Sequence, residues 1–198
     1  MIIRFCLGRH PRPRVPADGS FTGGPPRYLL VMANDVVELI LADHRRFEEL
    51  FRDLRNRDND RDKLLGELAA LLVAHAEAEE SEVYPALKRF RKVDDEEVDH
   101  GAEEHAEGHQ ALLALMEVDD SASQEWEDKL EELVQALNHH VDEEERTILN
   151  DAREAVPEQR RAELGAEFVR VRQERLDAGC GSIEHVRELV KATGHRVD

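Results

Sequence analysis

The chain has little of what several function classes require. Its two cysteines, Cys6 and Cys180, stand outside the helical patterns, so they offer neither a disulfide framework nor a cysteine metal site, and a reducing cytoplasm is the default expectation. Aromatic residues make up 5% of the 198 positions, and no stretch approaches the roughly 18 consecutive apolar residues of a membrane span. The opening IIRFCLG is short and runs into Arg and Pro, which is not a secretory segment. Basic residues number 27 against 45 acidic ones, and the formal net charge of −18 argues against nucleic acid as a partner, because phosphates call for a basic face. That acidity favours solubility and concentrates cations near the surface.

Proline is scarce after residue 27, where only Pro85 and Pro157 occur. Residues 1–31 show no helical period and read as a disordered leader, with Met32 a candidate natural start. Beyond it, amphipathic periods predict helices over about 35–57, 61–90, 96–117, 124–154, 157–176 and 183–193. Pro85 should kink or end the second, and Ser123 should cap the fourth. The expectation is all-α: an up-down-up-down four-helix bundle over 32–155 with a C-terminal helical extension over 156–198. On that extension Leu164, Phe168 and Val171 form a short apolar stripe.

What the chain does have is histidine and glutamate where a bundle normally places leucine. Val37, Ile40, His44, Phe47, Phe51 and Leu54 step by three or four, as do Leu65, Leu68, Leu72, His75, Glu79 and Val83. The third stripe is Ala102, His105, His109, Leu112 and Met116. The fourth is Trp126, Leu130, Leu133, Leu137, His140, Glu144 and Ile148. Each helix therefore turns one polar step toward the core. Buried charges and unpaired imidazoles cost several kcal/mol, so a coordinated cation is the simplest partner for this set. Seven groups suit two ions better than one, and two carboxylates bridging them would set the ions roughly 3.5–4 Å apart.

A lone inward histidine is ordinarily a hydrogen-bonded core residue; five on four helices at one level are not that pattern. His139 is adjacent to His140 but out of phase and reads as surface. Glu48, one turn from His44, lies off the stripe, His100 lies beyond the productive stretch of the third helix, and His10, His185 and His195 have no partner pattern. Rival metal classes are spelled differently. The only Glu-x-x-His spacing, Glu97 to His100, is off the seam, and His-Glu-x-x-His is absent. An internal repeat is also visible: LLVAHAEAEESEVYP around His75 and QALNHHVDEEERTIL around His140 share His, then Glu-Glu four and five residues on, then an apolar pair. The helix pairs are expected to be related by pseudo-symmetry, with His44 answering to His105.

The order DHRRFEELF, HAEAEESEVYP, EEHAEGH and HHVDEEE resembles the hemerythrin-like, HHE cation-binding family over about 35–155. The resemblance implies two non-heme iron ions, carboxylate- and oxo- or hydroxo-bridged, that bind dioxygen, sense iron or oxygen, or react with hydrogen peroxide. It makes His44 and His75 the ligands of an iron with an open position and His105, His109 and His140 those of a saturated one, with Glu79 and Glu144 as bridges. The chain departs from the oxygen carriers by offering Glu144 and Glu145, four and five residues after His140, where they use Asp at five. Ala76 stands where many single-domain relatives place Glu, and His109 then supplies the missing ligand. Phe47, Leu72, Leu137 and Val141 are expected to line an apolar ligand pocket around the open position. Three functions share these ligands: dioxygen binding, peroxide chemistry with Tyr84 as a candidate proton donor, and sensing through the tail 157–198.

Overall fold

Side-chain caps fix where the four long helices of the bundle begin. The computed structural model describes residues 35–194; the expected leader over 1–31, Met32, Cys6, His10 and His195 lie outside the described residues. Asp35 accepts from the Val37 N–H at 3.0 Å and starts α1 (Val36–Arg55). Asp60 caps α2 (Arg61–Ala78) through the Lys63 N–H, and Asp94 caps α4 (Asp95–Met116) through the Glu96 N–H. Ser123 caps α5 (Gln124–Arg146) by accepting from the Trp126 N–H at 3.1 Å, as the sequence predicts.

The second helix does not run regularly to Pro85. It widens into a π turn over Glu79–Val83 before the short α3 (Tyr84–Leu87), and the Tyr84 N–H bonds to the Glu79 carbonyl five residues back. Proline lacks an N–H and its ring crowds the carbonyl four residues earlier, and a wider turn relieves both. The fourth helix breaks at Thr147, whose hydroxyl donates to the Glu143 carbonyl at 2.7 Å, and resumes as α6 (Ile148–Ala155). One irregularity begins at the inward Glu79 and the other follows the inward Glu144 by three residues.

α1 packs on α2 and α5, and α4 packs on α5 and α2, giving an all-α bundle. Two further helices close it. α7 (Glu158–Asp177) lies against α2 and α1, burying Leu164, Phe168 and Val171, and α8 (Ile183–Gly194) lies against α4. No helix among the described residues is long and apolar enough to cross a membrane. The apolar interior falls into two clusters. One holds Phe47, Leu72, Trp126 and Leu137; the other holds Ile40, Tyr84, Ile148 and Phe168. The polar layer of histidines and glutamates lies between them.

The α7–α8 turn fits tightly. Gly179 has φ +73°, the left-handed region that glycine adopts freely, and a Cβ on Gly181 would overlap the Ala70 backbone, with Cα at 2.6 Å. Gly181→Ala is expected to destabilise the protein by about 1–3 kcal/mol, seen as a lower denaturant midpoint with an unchanged slope. An unchanged midpoint would show that the turn has room to move.

Candidate metal centre

Six of the seven inward residues converge. Glu79 and Glu144 are 0% and 1% exposed, and each reaches a histidine from both sides of the bundle. Glu79 Oε2 lies 3.1 Å from His75 Nε2 and 3.2 Å from His105 Nε2. Glu144 Oε2 lies 3.2 Å from His44 Nε2 and 3.9 Å from His140 Nε2. Metal-ligand groupings of atoms within 4.8 Å join His44, His75 and Glu144; His75, Glu79 and His105; and Glu79, His140 and Glu144. The result is a ring with two histidines on each side and two carboxylates spanning them.

Around that ring runs a second set of carboxylates that the stripes do not single out. His44 Nδ1 pairs with Glu145 Oε1 at 3.0 Å, His75 Nδ1 with Asp43 Oδ2 at 3.3 Å, His105 Nδ1 with Glu80 Oε1 at 3.0 Å, and His140 Nδ1 with Glu104 Oε2 at 3.0 Å. An ionised carboxylate only accepts, so each Nδ1 carries the proton, and a neutral ring then presents a bare lone pair at Nε2. The four outer contacts obey one pseudo-twofold: Asp43-His44 corresponds to Glu104-His105, and His75 with Glu79-Glu80 corresponds to His140 with Glu144-Glu145. A signal for them exists in the sequence, since each outer carboxylate is the immediate neighbour of an inner ligand. α7 contributes as well. Arg172 Nη2 donates to Asp43 Oδ1 at 2.7 Å, and the Phe168 ring meets His75 edge-on at 5.8 Å.

The inner atoms lack partners of their own. His44 Nε2, His75 Nε2, both oxygens of Glu79 and Glu144 Oε2 are buried without a hydrogen bond, because their short approaches are not directed at one another. His105 Nε2 and His140 Nε2 stand 3.1 Å apart. With both Nδ1 atoms already donating to carboxylates, two neutral rings would set lone pair against lone pair there. Neutral imidazoles and carboxylates around a shared centre, each held by an outer acceptor, are the donor set of a metal site.

His109 is buried and its Nε2 has no partner, but it belongs to none of these groupings. It lies one turn along α4 from His105, and the converging set holds two histidines from each half of the bundle. Glu145 is the outer partner of His44, and Glu144 occupies the inner position. Of the expected pocket, Phe47, Leu72 and Leu137 are buried in one apolar cluster, with the Phe47 ring 5.2 Å from His75. Val141 is only half-buried and joins neither cluster. Glu48 is exposed, as its phase predicts. Tyr84 is buried, stacks on His105 at 5.6 Å and donates its hydroxyl to Glu144 Oε1 at 3.0 Å.

Residues 35–152 match the hemerythrin HHE cation binding domain. The chain is also 28% identical over 137 residues to a DNA nickase of Nostoc sp. strain PCC 7120, a match covering 68% of this chain and 38% of the Nostoc protein. The chain therefore spans well under half the length of that relative. No solved structure matches.

Without an ion, the layer gathers protons. Burial opposes charge on His75, yet the Glu79 and Asp43 carboxylates raise it to about 10. Burial likewise opposes charge on His105, which Glu79 and Glu80 raise to about 9. His44 is raised by Glu144 against the same burial. Burial lowers His140 and takes His109 down to about 4, with the neighbouring His105 adding to both. Glu79 is also buried, which opposes ionisation, but His75 and His105 hold it well below the carboxylate range. Histidines raised in the fold stabilise it fully below their ordinary value of about 6.5 and lose that contribution as pH rises through the folded value. Chelator-treated protein should therefore lose thermal stability between about pH 6.5 and pH 10, and a midpoint that is level across this window would contradict the proton-loaded layer.

Proposed function

The chain belongs to the hemerythrin HHE cation-binding family, and from that membership we propose that its inner ring holds two iron ions and takes up dioxygen or hydrogen peroxide inside the bundle. The observation that carries this reading is the set of buried atoms without a hydrogen-bond partner that face a common centre: His44 Nε2, His75 Nε2, both oxygens of Glu79 and Glu144 Oε2. His44 and His75 would hold one ion, His105 and His140 the other, and Glu79 and Glu144 would bridge them. When bound, a pair of irons supplies the two electrons that dioxygen takes up, or exchanges them with peroxide. The protein's own residues do the rest. The four Nδ1 contacts fix the tautomers and aim Nε2 inward. Phe47, Leu72 and Leu137 keep water from the His44/His75 side, which slows loss of the reduced state.

A peroxide-consuming enzyme is the second reading, favoured by Tyr84. Its Oη holds a proton 3.0 Å from Glu144 Oε1, within the layer, where an oxygen substrate would need one. The nicking activity in the Nostoc protein's name is not carried over. The match spans 38% of that protein, and a net charge of −18 repels a phosphate backbone, so we infer that nucleic acid is not a partner of this chain.

Metal analysis joined to the optical spectrum of anaerobically reduced protein, before and after air and then peroxide, tests both readings. Two irons per chain with a reversible spectral change in air support dioxygen binding. Irreversible oxidation with rapid oxygen release from peroxide places the protein among enzymes, and absence of iron from protein expressed in iron-replete medium overturns both. Leu137→Ser should quicken air oxidation of the reduced protein by admitting water; an unchanged rate would remove the apolar cluster from the mechanism. Metal uptake should release protons and strengthen from pH 6 to pH 8, because the raised histidines must deprotonate to bind, and calorimetry in buffers of different ionisation enthalpy reads this directly.

A further inference from the structure

Outside the inner ring, His100 and Glu104 on α4 face His139 and Glu143 on α5, with one ligand atom from each within 4.8 Å of the others. We propose that these four residues form a separate mononuclear site for a first-row divalent metal ion such as Zn²⁺ or Fe²⁺. Its spelling is that of the inner ring: His100 with Glu104 and His139 with Glu143 are one-turn pairs, as His75 with Glu79 and His140 with Glu144 are. His139 and Glu143 precede their inner counterparts by one residue, which turns them about 100° around the helix to the outer face.

The distances suit a cation better than mutual hydrogen bonds. His100 Nε2 lies 3.6 Å from Glu104 Oε1 and 3.6 Å from Glu143 Oε2, and His139 Nε2 lies 3.5 Å from Glu104 Oε1. Those separations are too long for hydrogen bonds, and ligands about 2.0–2.2 Å from a tetrahedral ion stand roughly 3.3–3.6 Å apart. Glu104 supplies the independent evidence. It is only 6% exposed, its Oε2 is engaged by His140, and its Oε1 is shielded from solvent with no hydrogen-bond partner.

The pseudo-twofold says what is missing there. The counterpart of Glu104 is Asp43, whose oxygen not used by His75 is bound by the Arg172 guanidinium at 2.7 Å. At Glu104 that place faces the His100 and His139 rings, whose side chains are 51% and 63% exposed. One half of the bundle neutralises the second oxygen with an arginine from α7; the other presents two imidazoles and a second carboxylate, which together call for a cation from solution. Imidazole nitrogen favours transition metals over calcium and magnesium. The approach is open, bordered by Glu96, Glu97 and Arg146.

The test is equilibrium dialysis of the full chain, as isolated, against Co²⁺ as a spectroscopic stand-in for Zn²⁺. Wild type is expected to take up one more Co²⁺ per chain than His100→Ala/His139→Ala, with the visible ligand-field bands of a four-coordinate ion lost in the variant. Both substituted side chains are largely exposed, so the fold should survive, and far-ultraviolet circular dichroism checks that it has. Equal uptake by the two forms, or uptake by neither, overturns the site. The difference is read at the outer residues alone and stands or falls independently of whether iron occupies the inner ring. Glu143→Gln provides a second reading, expected to weaken Co²⁺ binding at least tenfold; unchanged affinity would count against a four-ligand site.

Discussion

Two carboxylates buried in the middle of a helical bundle are the constraint on which the rest depends. Glu79 and Glu144 are shut off from water, and ionised carboxylates in such a place need compensation in kind. Four imidazoles surround them, four outer carboxylates hold those imidazoles by their far nitrogens, and Arg172 from α7 steadies one of the outer four. The chain of dependence thus runs outward from charge to tautomer to surface helix. Folding energy comes from elsewhere: the apolar clusters on either side of the layer let the bundle tolerate a stratum that does not satisfy itself.

The two halves share a ligand plan but differ around it. Three residues after His44 stands Phe47; three after His105 stands Gly108, and Leu137 fills the space its side chain would take, at 3.2 Å. Four before His44 is Ile40, whereas four before His105 is Gly101, whose missing side chain admits the Tyr84 hydroxyl at 3.0 Å. One face of the layer is therefore lined by an aromatic apolar ring and the other carries a phenol. Equivalent residues in unlike surroundings give the two sides of the layer different access and proton supply.

Phase made the inner ring legible in sequence, because the residues that step by three and four must share a face. Phase does not give level. His109 obeys the stripe as well as His105 does, yet it joins none of the converging groups, although Glu79 and Glu144, each one turn from a ring histidine, do. The outer carboxylates were hidden for the complementary reason. Asp43, Glu80, Glu104 and Glu145 sit one residue off the seam, where an acidic side chain ordinarily faces water, and only the arrangement of neighbouring helices buries or engages them. Pro85 signalled a disturbance in the second helix, but not that relief would come as a π turn beginning at Glu79 itself. The role of α7 was legible only as a stripe, since contact with Asp43 depends on how the chain returns after Pro157.

The doubled letters in HHVDEEE then acquire a physical reading. A helix turns about 100° per residue, so a His-x-x-x-Glu pair and its copy one residue earlier cannot serve the same face. His140 with Glu144 enters the ring, while His139 with Glu143 is turned to the rim, and Glu104 on the facing helix touches both through its two oxygens. A cation on the rim would withdraw electron density from the carboxylate that orients His140. The same heptapeptide would thereby join the inner layer to the solution outside it through one side chain, with no moving part.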